Sequence, residues 1–163
     1  MELKRRLNPR VIFVSLYLIF FAAYIIYGLQ PAEAVHYEIT NRLSIPSISL
    51  ETDVTQLEVK NGKLNTPDTI AGSFTKAQNK TLLIGHSTTV FQNLQQVDLG
   101  DEISYDGKKF RVIKLEYKEK SRVDMSEILK SEERETIVIM TCAGELYDSG
   151  DATHRFMITA VVL

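Results

Sequence analysis

Three side chains in this sequence have the types that a thiol-based acyl transfer needs: Cys142, His86 and Arg155. Cys142 is the only cysteine, so it can form neither an internal disulfide nor a cysteine-based structural zinc site. A free thiol of pKa ~8.5 is only a few per cent thiolate at neutral pH, so it needs a cation or base beside it to act as a nucleophile. Histidine can hand a proton to a leaving amine and later take one from an incoming amine. Arginine stays charged, and its fork of N–H donors can hold an oxyanion or a carbonyl oxygen. Taken singly, each residue also has a plain reading. Cys142 can be a small core hydrophobe, His86 a surface or structural histidine, and Arg155 a solvated residue opening a strand.

The elements around these residues place them alike. Cys142 follows residues 136–141 (TIVIMT), a nearly continuous apolar run of the kind buried on both faces of a sheet. Residues 143–154 (AGELYDSGDATH) are polar and read as a loop, which puts the thiol at the last position of a rigid strand. His86 comes directly after the apolar run 81–84, with Gly85 permitting close backbone approach. Arg155 opens the closing apolar run 156–163 (FMITAVVL).

From Asn41 onward the chain reads as short strands between turn residues. Residues 43–50 (LSIPSISL) alternate apolar and polar, with Pro46 suited to an edge or bulge, and residues 54–59 continue the alternation. Asn61-Gly62 and Asp106-Gly107 are tight-turn signals, the second followed by 110–117 (FRVIKLEY) with period two. Residues 87–96 are expected to hold a turn. Residues 121–134 are expected to be helical, with Val123, Met125, Ile128 and Leu129 near one face. Seven or eight short strands with few helices indicate an all-β sandwich or closed barrel.

The first forty residues are different. Residues 11–29 contain no charge, enough for a helix that spans a hydrocarbon core of ~30 Å. Lys4, Arg5, Arg6 and Arg10 precede this run and predict a cytoplasmic N-terminus, residues 1–10, with the remainder outside the cell. The expected plan is a transmembrane signal anchor over 11–29, a linker over 30–40 and a catalytic domain over 41–163. Ala32-Glu33-Ala34 also resembles a signal-peptidase site, but the apolar run exceeds the usual ~7–15 residue signal core, which favours an uncleaved anchor. Four of the 19 basic and one of the 21 acidic side chains lie in the first 29 residues, leaving 15 against 20, or -5. Such a balance gives no electrostatic reason to bind nucleic acid.

The motifs together resemble those of the sortases. Thr141-Cys142 after the run IVIM, with Arg155 heading a last apolar strand, is similar to the TLxTC…R signature of that family. Residues 81–103 (TLLIGHSTTVFQNLQQVDLGDEI) resemble its histidine segment, in which strand-GH is followed by F-x-x-L and a G-D turn. Phe91, Asn93, Leu94, Gly100 and Asp101 fall in that pattern, and the resemblance runs from about residue 43 to 163. It implies a closed eight-stranded β-barrel and a cysteine transpeptidase that cleaves an LPxTG-like sorting signal after its threonine. The acyl group would pass from Cys142 to an amine of the cell wall or of a pilin, and the partners would be surface proteins bearing that signal. Cys142, His86 and Arg155 take the catalytic roles, and Thr141, which corresponds to the family's threonine before the cysteine, is expected among the substrate-binding residues. Ser87 stands where many members have Arg or Asn, and Ile139-Met140-Thr141 departs from a leucine-containing TLxT. Residues 118–135 are too short for the helical insert of the haem-protein-anchoring subclass, and the dozen residues before the first strand leave no room for a pilus-type lid. A small housekeeping-type or class D/E-like member is what these features resemble.

Val123, Ile128 and Leu129, with Met125, read either as a wall for the signal's leucine or as plain core packing. No cofactor is expected. Glu116, Glu119, Asp124 and Glu127 would offer calcium oxygen ligands, but they lack a fixed ligand spacing and are read as a solvated acidic face. His36 and His154 are not expected to be the catalytic base. Two other function classes fit the same residues. One is a cysteine hydrolase with water as acceptor, and the other a non-catalytic anchored β-domain in which Cys142 is merely buried.

Overall fold

A computed structural model describes residues 17–18, 20–21, 24, 37–60, 63–148 and 151–163. The chain divides into two units, Met1–His36 and Tyr37–Leu163. Of the first unit, Tyr17, Leu18, Phe20, Phe21 and Tyr24 are described, all helical and exposed. The rest of the apolar run 11–29, and with it the expected anchor, lies outside the described residues. Among the described residues no helix is long and apolar enough to cross a membrane.

In the second unit the strands are β1 (Ile39–Ile45), β2 (Leu50–Gln56), β3 (Val59–Lys60), β4 (Lys63–Leu64), β5 (Ala71–Ala77), β6 (Lys80–Ile84), β7 (Glu102–Tyr105), β8 (Lys108–Glu119), β9 (Thr136–Leu146) and β10 (Ala152–Val162). Eight of them close a barrel in the order β1-β2-β5-β6-β9-β10-β8-β7, and β3 with β4 forms a separate small hairpin. Closure is made by β7 against β1, where Leu43 pairs with Tyr105 and Ser44 with Ser104. The β2–β5 and β6–β9 contacts are parallel, and the rest of the barrel is antiparallel.

The barrel has two apolar regions because β9 is covered on both sides. Ile137 and Ile139 enter the interior with Leu43, Ile45, Phe91 and Phe110. Val138 and Met140, one residue out of phase, join Leu82 and Met157 in a second cluster on the outer face. This is why residues 136–141 are buried without a break. The outer cluster is capped by Val123, Met125, Ile128 and Leu129 from the β8–β9 connection.

Three expectations change in detail. The alternation over 43–50 belongs to a corner: a 3-10 turn at Pro46–Ile48, closed by Ser49 in the left-handed region, separates β1 from β2. Proline fixes φ and has no N–H for the ladder, so the strand ends there. The segment 121–134 contains only a 3-10 turn at Lys120–Arg122 and a single helical turn at Met125–Ile128. Asp124 caps that turn by accepting from the Ser126 amide at 2.8 Å. Past Leu129 the chain is drawn to the β5–β6 turn, where Asn79 donates to the Glu132 and Glu133 carbonyls and Lys80 pairs with Glu132 at 3.0 Å. Finally, residues 143–154 are not all loop, since β9 continues to Leu146 and β10 begins at Ala152. The Asp106-Gly107 signal does form the β7–β8 hairpin, with φ of 51° and 69° at its two central residues.

Candidate active site

Cys142 lies within β9 rather than at its end, yet one edge of the strand is free at that level. The parallel partner β6 stops at Ile84, opposite Met140, so Gly85 and His86 run on beside Thr141 and Cys142. On the other side β10 pairs Arg155 directly with Cys142. Directly opposed residues of an antiparallel pair share a face with their Cβ atoms ~5 Å apart. The next pair on the same face, Met140 with Met157, belongs to the outer apolar cluster. The thiol and guanidinium therefore sit at the open end of that outer face. His86, Cys142 and Arg155 all line one cavity of about 460 Å³, whose apolar walls include Val59, Leu64, Phe74, Ile84, Met125 and Leu129. The free thiol of Cys142 is half-buried.

Thr141 is turned inward and 2% exposed. Its hydroxyl donates to the Gly85 carbonyl at 2.8 Å, joining residues 56 apart in sequence and tying the histidine segment to the cysteine strand. The His86 carbonyl then accepts from the Phe91 amide at 3.0 Å, which starts the turn through residues 87–93. His86 Nε2 lies 3.4 Å from the Thr66 carbonyl and 3.8 Å from the exposed carboxylate of Asp68. A contact this exposed contributes little energy.

Gly85 permits this packing. A Cβ there would come within 2.5 Å of Val90 Cγ1 and 2.6 Å of the buried Phe91 ring. Gly85→Ala is expected to destabilise the fold by ~1–3 kcal/mol through overpacking, and to slow acylation because His86 moves with the turn. Unchanged denaturant unfolding of that variant would show that the close approach is not required.

Arg155 is clamped by its own loop. Nη1 donates to the carbonyls of Ala152 at 3.1 Å and His154 at 2.8 Å, and Nη2 donates to Asp151 Oδ1 at 2.7 Å. Asp151 also accepts from Lys120 through Oδ2. Hydrogen bonds from Lys120 first, and then from Arg155 and the Ala152 amide, hold its carboxyl well below the usual carboxylate range. The sequence reading missed Asp151, Lys120 and Asp68. A carboxylate four residues before Arg155 was the only local hint of the first.

The apolar residues assigned to substrate binding divide. Leu129 lines the cavity, and so does Met125, its neighbour four residues back on the same side of the helical turn. Val123 and Ile128 do not. They pack on the outer cluster and line a separate cleft of about 180 Å³ that holds Glu116, Lys118 and Glu127. The four carboxylates weighed for calcium have other surroundings. Glu116 accepts from Lys118 at 2.8 Å and Lys114 at 3.0 Å, and Glu119 pairs with Arg122 at 3.2 Å. Partial burial opposes ionisation of Glu116, but the Lys118 and Lys114 hydrogen bonds outweigh it and lower its pKa. Asp124 is the helix cap described above. Among the described residues no group of three or more His, Cys, Asp or Glu is placed to hold a metal ion. His154 stacks on Tyr117 with ring centroids 4.8 Å apart, whereas His36 lies outside the described residues.

A family model of the sortase domain matches residues 43–163, and the chain belongs to the sortase family. Solved structures with the same fold include sortase A from Corynebacterium diphtheriae, at 18% identity and a TM-score of 0.59. That match covers 78% of this chain and 62% of that one, so the chain spans less than two thirds of its length. Sortase A from Listeria monocytogenes matches at 14% identity and a TM-score of 0.60, covering 77% of this chain and 87% of that one. A Clostridium perfringens sortase transpeptidase matches at 18% identity and 0.58, covering 80% and 83%. At these identities the likeness is one of fold. A comparison with curated proteins returns no match.

Proposed function

We propose that this chain is a cysteine transpeptidase that cleaves an LPxTG-like sorting signal after its threonine and transfers the acyl group to an amine of the cell envelope. The observation that carries this reading is the meeting of Cys142, His86 and Arg155 on one largely apolar cavity. The thiolate of Cys142 attacks the threonine carbonyl carbon, and Arg155 donates hydrogen bonds to the resulting oxyanion. As the tetrahedral intermediate collapses, the C–N bond breaks and protonated His86 gives its proton to the leaving glycine amine. An incoming amine then attacks the thioester, His86 takes a proton from it, and Cys142 leaves as thiolate. Met125 and Leu129 suit the aliphatic part of the signal. Side chains supply every step, so the reading calls for no cofactor.

The test is mass spectrometry of the full chain in detergent, incubated with LPxTG-type peptides and candidate amines. A mass increase equal to the peptide portion ending in threonine, discharged by amine, is the expected result. Discharge by water alone at every amine concentration would make the protein a cysteine hydrolase instead.

The reading includes an N-terminal membrane anchor and an extracellular catalytic domain, which the basic cluster before residues 11–29 supports. In intact cells, a tag at the N-terminus should resist external protease and one after Leu163 should be digested. The reverse pattern would remove the extracellular assignment.

A further inference from the structure

Arg155 has five N–H donors, of which three are bound within its own loop, to Ala152 O, His154 O and Asp151 Oδ1. Nε–H and the second hydrogen on Nη2 have no acceptor among the described residues, and Arg155 lines the cavity. How those two donors are aimed depends on what fixes the guanidinium plane. The two carbonyls both act on Nη1, and neither reaches Nη2 or Nε. Asp151 acts on the other terminal nitrogen, so the guanidinium is anchored at both terminal nitrogens and its residual swing about Nη1 is restricted.

Asp151 is itself held from three directions. Its Oδ1 accepts from the Ala152 amide at 2.9 Å, its Oδ2 from Lys120, and its carbonyl from the Tyr147 amide at 2.8 Å. Lys120 begins the 3-10 turn that opens the β8–β9 connection, the same segment that brings Met125 and Leu129 to the cavity wall. One carboxylate thus joins the β9–β10 loop, the arginine of the site and the segment that walls the substrate cavity. Its charge does not cancel the arginine's, because Lys120 offsets it. Arg155, Asp151 and Lys120 together keep a net charge of +1 beside the position where an oxyanion would form. Arg155 is 14% exposed and Asp151 35%, so the pair is not one of two freely solvated side chains.

We propose that Asp151 is a positioning residue for acyl transfer, holding the Arg155 guanidinium so that its two unbound N–H groups meet the oxyanion formed at Cys142. This rests on the reading of Arg155 as oxyanion donor, and it adds that the donor is preorganised by a loop carboxylate rather than by substrate. The lowered pKa of Asp151 fits the role, since its charge then persists wherever the thiol is reactive.

The experiment is a double-mutant cycle on the full chain in detergent, reading the rate of Cys142 acylation by an LPxTG-type peptide over a range of concentrations. Asp151→Asn should lower the maximal acylation rate about tenfold with little change in half-saturation, and Asp151→Glu should recover most of it by restoring the charge. In an Arg155→Ala background, Asp151→Asn should cause no further loss, because the residue acts only through the guanidinium. An independent, multiplicative tenfold loss in that background would overturn the proposal and make Asp151 a structural loop residue. So would a wild-type rate for Asp151→Asn alongside an impaired Arg155→Ala. A wild-type rate for Arg155→Ala would instead overturn the oxyanion assignment, and this inference with it.

Discussion

Cys142→Ala will lose all covalent capture of a sorting peptide, and cleavage will fall by at least ~10⁴-fold, the scale seen when a covalent nucleophile is removed. No other thiol in the chain can substitute, because Cys142 is the only cysteine. The fold should survive the change. Cys142 is half-buried at the open end of the outer face, so removing Sγ leaves no enclosed cavity. The ties around it are made by neighbours: the Thr141 hydroxyl to Gly85, and the backbone pairing of β9 with β10. Intact-mass spectrometry and a thermal melt of the same sample separate the two effects. Retained cleavage with an unchanged melt would sink the cysteine mechanism.

Arg155→Lys should slow acylation by at least ~10²-fold, the scale of losing an oxyanion-hole donor, because both unbound N–H groups go. The substitution keeps the positive charge but removes the planar fork. A single ammonium cannot bond Ala152, His154 and Asp151 in the same arrangement and still present donors to the cavity. Neither arginine nor lysine changes charge in the working pH range. The pH–rate profile should therefore keep its position. A shift of the optimum by a full unit at a near-normal peak rate would mean that Arg155 tunes the thiol and does not hold the oxyanion.

Much of the barrel was legible before any coordinates. The period-two pattern over 110–117 and the unbroken apolar run over 136–141 reflect burial on one face and on two, respectively, and these are local properties of a strand. The Asp-Gly hairpin was readable because only certain residues accept two successive positive φ values. Boundaries were less legible. An alternating pattern reads alike along one strand or around a corner, so Pro46 suits an edge or bulge by pattern although it turns the chain. Residues 121–134 have helical spacing, yet ties from Asn79 and Lys80 hold the later part out of a helix.

By itself, the sequence determined the chemical inventory: one thiol, a histidine after a strand, an arginine before another, and motifs shared with the sortases. Residue type and chain order are enough to specify these. Only the tertiary structure decided which strands are neighbours, because strand pairing joins segments whose separation no local pattern encodes. It is the parallel β6–β9 contact and the antiparallel β9–β10 contact that put Gly85-His86, Cys142 and Arg155 side by side. The same nonlocal packing decided that Met125 and Leu129 reach the cavity while Val123 and Ile128 do not. It also placed Asp151 on the arginine of the site and Lys120, 31 residues away in sequence, on Asp151.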